Sequence, residues 1–156
     1  MNLDFHGPAA RGLRRYVRLV AAELVPAAEH TVVHWVHPVH AYLALPGRLR
    51  WFPSRDVALT WDERHGWAMI LVASSYDSLA VLRYLGLDVL PPPREVVVFT
   101  GRLFGDELAG RLEPPPRGDP AELATRLAGY ARPGRARHRD EPVHLYGVIT
   151  AGPSPA

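Results

Sequence analysis

The stretch that most constrains the fold is DVALTWDERHGWAMILVA at 56–73, where two apolar runs flank a four-residue turn that ends at Gly66. Large apolar residues alternate along the first run, with the period of a half-buried strand. Glycine readily adopts the positive φ that closes such a turn. The stretch therefore predicts a β-hairpin in which Trp61 and Trp67 pack as a cross-strand pair. Its second face carries small residues such as Ala58, so that a helix could cover it.

Further elements are predicted before the hairpin. The β-branched and aromatic runs at 31–36 and 40–46 predict two strands, and 48–55 predicts a connecting loop. Apolar residues spaced by three and four predict an N-terminal helix over 9–24, with arginines on its opposite face.

After the hairpin, 74–86 has the pattern of a short helix. Asp77 or Ser78 would cap it, Gly86 would end it, and its buried stripe would be Leu79, Leu82 and Leu85. The proline triplet at 91–93 then predicts an extended segment, because each proline disfavours the α region for the residue before it.

Two helices are predicted in the rest of the chain. The run 94–112 is ambiguous, since its valines favour a strand while its apolar spacing favours a helix that breaks near Gly105. Asp119 and Pro120 then have the pattern of a helix cap and first residue, and that helix runs to about Tyr130.

These elements predict one α+β domain over residues 1–130. It contains an N-terminal helix, an antiparallel sheet of three to five strands around the central hairpin, and two or three C-terminal helices packed on one sheet face. Residues 131–156 form a basic tail rich in proline and glycine, in which 143–150 could add a strand. No apolar run reaches the roughly 18 residues of a membrane helix, and the N-terminus lacks a secretion signal, so a cytoplasmic protein is expected.

Composition excludes some classes of site. The chain has no cysteine, which excludes disulfides, thiolate zinc sites and cysteine nucleophiles. All eighteen basic residues are arginine, and alanine, glycine and proline are abundant. This pattern indicates a GC-rich bacterial genome, which weakens arginine as a sign of nucleic-acid binding. The net charge of +2 is too small to predict an anionic partner.

Four histidines, His30, His34, His37 and His40, are candidate metal ligands. On a helix they would share one face, but the neighbouring valines and Pro38 predict strands instead. Strand alternation places His30 and His34 on one face and His37 on the other, with Pro38 breaking the register before His40. Zinc or iron needs three or four converging ligands. We therefore predict no metal and no cofactor, unless the His30 and His34 pair meets a third ligand from the hairpin.

No pattern of a catalytic site is evident, and no catalytic residue is predicted. Asp56 and Asp62 lie about 20 Å apart along one strand, which is too far for one catalytic centre. Asp62 and His65, across the turn, are the closest acid–base pair. The serines lack the glycine-flanked elbow of hydrolases, and a phosphate-binding glycine loop is absent.

The loop aromatics Trp51 and Phe52 are the leading candidates for binding, because aromatic residues in loops often line pockets or interfaces. Packing in the core is the alternative for both. Arg55, Asp62 and His65 complete the predicted site. The first hypothesis is a non-enzymatic binding or regulatory module, which recognises an unknown protein or small-molecule partner through this loop and the free face of the sheet.

An arginine-rich face of the first helix gives a second hypothesis, nucleic-acid binding, in which the basic tail would assist. A solvated helix face is the alternative, since any amphipathic helix turns polar residues outward. A metal-dependent hydrolase that uses His and Asp is the third hypothesis, and the oligomeric state is not predicted. The candidate anion-binding residues are Arg11, Arg14, Arg15 and Arg18.

The runs AYLAL at 41–45, FPSRDVALTWDERHGWA at 52–68 and VLPPP at 89–93 resemble those of an uncharacterised family of small actinobacterial proteins. The resemblance extends to the YVR segment at 16–18 in the predicted first helix. It implies an actinobacterial origin and the limits of the domain. It implies no activity, because that family has none established.

Overall fold

The structure is a computed structural model that describes residues 7–24, 31–34, 39–72 and 80–132. Within them it has an α+β arrangement, as the sequence predicts. The helices are α1 (Pro8–Leu24), α2 (Pro93–Phe104) and α3 (Pro120–Tyr130). The strands are β1 (Thr31–His34), β2 (His40–Ala44), β3 (Asp56–Asp62), β4 (Gly66–Val72) and β5 (Ala80–Tyr84). The predicted strand at 143–150 lies outside the described residues.

The five strands form one antiparallel sheet in chain order, from β1 to β5. The predicted hairpin is confirmed as β3 and β4, and Trp61 lies opposite Trp67 in their register. Gly66 has φ +70° at the end of the turn, as expected for a position that favours glycine.

The main core lies on one face of the sheet, the face that carries Val57, Leu59 and Trp61. All three helices contribute to it, so the predicted packing of helices on one side is confirmed. Helices α1 and α3 cross closely at Gly12, which has no side chain to keep them apart. A Cβ at this position would lie 1.6 Å from the carbonyl oxygen of Leu127. The suggestion that a helix covers the face of Ala58 is wrong for the three described helices.

The predicted helix over 74–86 is wrong in its second half, where residues 80–84 form strand β5. Residues 74–79, with both predicted caps, lie outside the described part of the chain. Strand β5 pairs with β4, placing Tyr84 opposite Ala68 and Val81 opposite Ile70. The edge of β4 offers a row of backbone donors and acceptors that must be paired when buried, and this long-range pairing overrides the local helical spacing.

The ambiguous run 94–112 contains a helix that ends where predicted. Helix α2 ends at Phe104, and Gly105 is its C-cap. Pro93 is the first residue of α2, so only the first two prolines of the triplet precede the helix. Beyond the helix, Arg111 and Tyr84 exchange two backbone hydrogen bonds of 2.8 Å. The predicted start of α3 is confirmed, since its capping residue Asp119 accepts a hydrogen bond from the N–H of Ala121, the second residue of the helix.

A cluster of hydrogen bonds fastens residues 88–91 to the core. Trp61 Nε1 donates to the carbonyl of Val89 at 2.6 Å, and the Tyr16 hydroxyl donates to that of Pro91. Tyr16 in turn accepts from Trp67 Nε1 at 2.9 Å. Buried indole and phenol groups therefore have partners, and burial raises the pKa of Tyr16 well above its ordinary value.

Arg126 of α3 also holds this segment. It forms two hydrogen bonds with Asp88, at 2.8 and 3.1 Å, and a third with the carbonyl of Leu90 at 2.9 Å. The hydrogen bond from Arg126 lowers the pKa of Asp88.

Over the described ranges, the helices are too short or too polar to cross a membrane.

Candidate functional site

The predicted binding residues are divided between the two ends of the β3–β4 hairpin. Asp62 and His65 lie at its turn, whereas Trp51, Phe52 and Arg55 lie in the loop before β3. The seven residues of β3 separate the two ends by about 20 Å. The five residues therefore do not form a single site.

At the turn, the Asp62 carboxylate is used to hold the backbone. Its Oδ1 accepts hydrogen bonds of 2.7 Å from the N–H groups of Arg64 and His65. Its Oδ2 lies 3.2 Å from Nδ1 of His65, so the predicted proximity of this pair is confirmed. Glu63 Oε1 accepts a 3.2 Å hydrogen bond from the N–H of Val39, the residue before β2. These contacts build a tight turn and link it to the neighbouring strand.

Two histidines lie in register beside this turn. His34 pairs with His40 across β1 and β2, and His40 pairs with Asp62 across β2 and β3. Alternation along a single strand predicts that, of the four histidines, only His30 and His34 share a face and could act together as ligands. That prediction is wrong, because a hairpin also places residues opposite one another. His30 and His37 lie outside the described residues, and in the described ranges no three His, Asp or Glu residues are placed to hold a metal ion.

The loop before β3 presents Trp51, whose side chain is 71% exposed. Its neighbours anchor it: Leu49 is buried, and Phe52 packs against the core. The core alternative is therefore right for Phe52 and wrong for Trp51. The N–H of Phe52 also donates to the carbonyl of Leu49 at 3.0 Å, which tightens the loop below the indole.

Three arginines fasten the same loop to its surroundings. Arg48 reaches Asp56 at 3.3 Å and the carbonyl of Pro53 at 3.1 Å. Arg50 forms a 3.1 Å ion pair with Asp106, just beyond α2. The third, Arg55, donates to the carbonyl of Val72 at the end of β4. Arg55 thus positions the loop, and Trp51 is left as its exposed apolar group.

A groove beside α2 escaped sequence reasoning. It has a volume of about 460 Å³ and lies between the outer side of α2 and the residues at 109–110. Its lining includes Val98, which is 51% exposed. Three consecutive valines cannot all face inward on a helix, so the valine run at 96–98 was a signal for this surface. The same valines also favour a strand, and on a strand they would not indicate an exposed helix face.

The predicted anion-binding face of α1 is only partly exposed. Arg11 is exposed, whereas Arg14, Arg15 and Arg18 are half-buried. Arg15 donates to the carbonyl of Arg132 after α3 at 3.1 Å. The packing of α3 on α1 thus occupies part of this face, and the tail arginines beyond residue 132 lie outside the described ranges. Anion binding stays a prediction.

Comparisons with known proteins address the family alone. A family model described as a family of unknown function, DUF6292, matches residues 16–102. No curated protein and no solved structure matches the chain. The match begins in α1 and ends in α2, so it includes both ends of the hairpin, and the three runs that carried the resemblance lie within it. Because it covers more than half of the chain, the protein belongs to the DUF6292 family.

Proposed function

We propose that this protein is a non-enzymatic binding module that recognises a protein partner through the loop around Trp51. The observation that carries the proposal is the 71% exposure of this indole on a loop that is anchored by its neighbours. Other features of the fold add support, and each concerns what a partner would gain by covering the loop.

Covering Trp51 would release a substantial free energy. A tryptophan side chain buries roughly 150–250 Å², and apolar burial contributes about 25 cal/mol per Å². Transfer of the exposed part of this indole into an interface is therefore worth about 3 kcal/mol. Tryptophan is also enriched among the few residues that dominate binding energies.

The anchored loop lowers the entropic cost of binding. Leu49 and Phe52 fix it to the core. Arg48 and Arg50 form ion pairs with aspartates of the same chain. Ordering a mobile loop would otherwise consume part of the binding energy. The Arg50 side chain is still 83% exposed, so it remains accessible to a partner beside the indole.

Two other regions fit the proposal less well as binding surfaces. The acid–base pair of Asp62 and His65 is engaged in the hairpin turn. On the sheet face opposite the helices, Ala58 and Ile70 are buried, so the centre of that face is not available to a partner. The loop is consequently the favoured surface among the predicted site residues.

Photo-crosslinking tests the proposal directly. A benzophenone amino acid replaces Trp51 in the full chain, expressed in its own host, and the same replacement at the exposed Arg117 serves as a control. We expect a discrete protein adduct from position 51 that is absent from position 117. Mass spectrometry identifies the adduct, and the purified partner is then titrated with wild type and Trp51→Ala.

Loss of the indole should weaken this complex at least tenfold, as expected for a central interface tryptophan. The circular dichroism spectrum of Trp51→Ala should match that of wild type. The proposal fails if positions 51 and 117 yield the same adducts, or if Trp51→Ala binds the identified partner as tightly as wild type.

A further inference from the structure

We infer that the groove beside α2 docks a short acidic and apolar segment of a partner protein. The inference rests on the proposed function as a binding module and names the chemistry of the partner. It concerns a second surface, separate from the Trp51 indole, so the two can be tested independently. The lining of the groove includes Arg94, Glu95, Val98, Phe99, Arg102 and Gly110.

Close packing fixes the shape of the groove. Gly110 has φ +73°, and a Cβ there would lie 2.1 Å from the carbonyl oxygen of Tyr84 and 2.7 Å from Cε2 of Phe99. The adjacent Arg111 exchanges two backbone hydrogen bonds with Tyr84. The wall opposite α2 is therefore held against β5, and a ligand would meet a preformed groove rather than having to open one.

Large aliphatic side chains are exposed in the groove and at residues next to its lining along the chain. Val98 in the lining is 51% exposed, while Leu108 and Leu112, which flank the wall at 109–111, are 75% and 71% exposed. Exposed aliphatic side chains in and next to the lining favour an apolar ligand. An occupant must therefore supply apolar side chains.

The charges of the groove select the rest of the occupant. Arg94 and Arg102 both line the groove and lie eight residues, or about 12 Å, apart along the axis of α2. Among the described lining residues, Glu95 is the one acidic residue. Within the described part of the chain, the guanidinium group of Arg94 makes no hydrogen bond or ion pair. Arg102 pairs with Glu107 at 2.9 Å, but both side chains are more than half exposed, so this pair is weak and can be exchanged.

These features match a segment with carboxylates at its ends and apolar residues between them. A carboxylate at each end would meet an arginine, since guanidinium groups bind carboxylates with paired hydrogen bonds. An extended segment of about four residues, or a helix of about two turns, spans the 12 Å between the arginines. A wholly basic segment would be repelled by the two arginines. A wholly polar segment would leave the apolar part of the lining exposed.

Peptide selection provides the test. Random peptides of about twelve residues, displayed on phage, are selected on the full wild-type chain. We expect enriched sequences with aspartate or glutamate on both sides of two or more apolar residues. The tightest peptide is then synthesised and titrated by fluorescence anisotropy against wild type, Arg94→Glu and Val98→Ser, with Arg117→Glu as a control of the same charge change elsewhere.

We expect Arg94→Glu to weaken binding at least tenfold, Val98→Ser about threefold, and Arg117→Glu less than twofold. Glutamate is favourable in the first turn of a helix, so Arg94→Glu should fold normally. Replacing by lysine only the peptide's acidic residue at the Arg94 end should restore binding to this variant. Enriched peptides without acidic residues would refute the inference, as would equal effects of Arg94→Glu and Arg117→Glu. A concentration-dependent dimer that Val98→Ser dissociates would also refute it, by making a second copy the occupant.

The two proposals can fail separately. If the partner crosslinked at position 51 binds Arg94→Glu as tightly as wild type, the groove inference is wrong and the proposed function stands. If position 51 yields no specific adduct while acidic peptides bind the groove, the loop proposal is wrong and the groove inference stands.

Discussion

The two ends of the β3–β4 hairpin differ in how their side chains are used. At the turn, Asp62 binds two backbone N–H groups, and Trp61 is buried with its indole N–H bonded to residue 89. At the other end, the loop is fastened equally well, yet Trp51 points outward and is mostly exposed.

The difference shows which residues are available for function. Aspartate and histidine suggest catalysis when they are read from the sequence, but here they build a turn and are held by it. The exposed indole makes no comparable contribution to the fold. An exposed residue that does not stabilise the fold is a better candidate for binding than a residue whose side chain is engaged in hydrogen bonds of the turn.

The largest expected effect contrasts the two tryptophans. Trp61→Ala should lower the free energy of unfolding by about 3–5 kcal/mol, because it empties a core position. Trp51→Ala should change it by less than about 0.5 kcal/mol, as expected at an exposed site. Urea unfolding followed by circular dichroism measures both, independently of tryptophan fluorescence. Similar losses for the two variants would contradict the contrast between the ends.

A smaller effect is expected for the aspartates that begin and end β3. Asp62→Ala should cost about 1–2 kcal/mol, since two backbone N–H groups lose their acceptor. Asp56→Ala removes only an exposed pair with Arg48 and should cost less than about 0.5 kcal/mol. Asp62→Asn retains an acceptor oxygen and should be close to wild type in the same unfolding assay. If the asparagine variant is as unstable as the alanine variant, the hydrogen bonds of this oxygen do not stabilise the turn.

The smallest effect is a pH dependence at Asp88, in the segment that covers the turn end. Arg126 lowers the folded-state pKa of Asp88 below its ordinary value of 3.8. The ion pair therefore contributes stability above pH 3.8, and this contribution is lost as the pH falls through the lower folded pKa. Both side chains are 40–45% exposed, so the contribution should be below about 1 kcal/mol.

The variant Asp88→Asn isolates this contribution. Its free energy of unfolding should fall below that of wild type at pH 6. The two should converge as the pH falls from 3.8 through the lower folded pKa of Asp88, below which the wild-type carboxylate is protonated. Denaturant unfolding at a series of pH values measures the difference. A difference that stays constant down to the lowest pH at which both proteins fold would show that the charge of Asp88 is not involved.

Local patterns predicted much of the fold, but less of the candidate site. The hairpin and helix α1 follow from periodicity, and Asp119 follows from capping chemistry. The sequence also selected the loop that holds Trp51. It could not separate Trp51 from Phe52, because two neighbouring aromatics have the same pattern whether one or both are buried.

Patterns among residues close along the chain are sufficient to predict three features: the β3–β4 register, the start of α3 and the end of α2. Contacts with distant parts of the chain are needed to explain β5 instead of a helix, the pairing of His40 with Asp62, the exposure of Trp51 and the groove beside α2. The physical reason is that strand pairing and burial depend on what occupies the neighbouring edge or face, and that neighbour comes from a distant part of the chain.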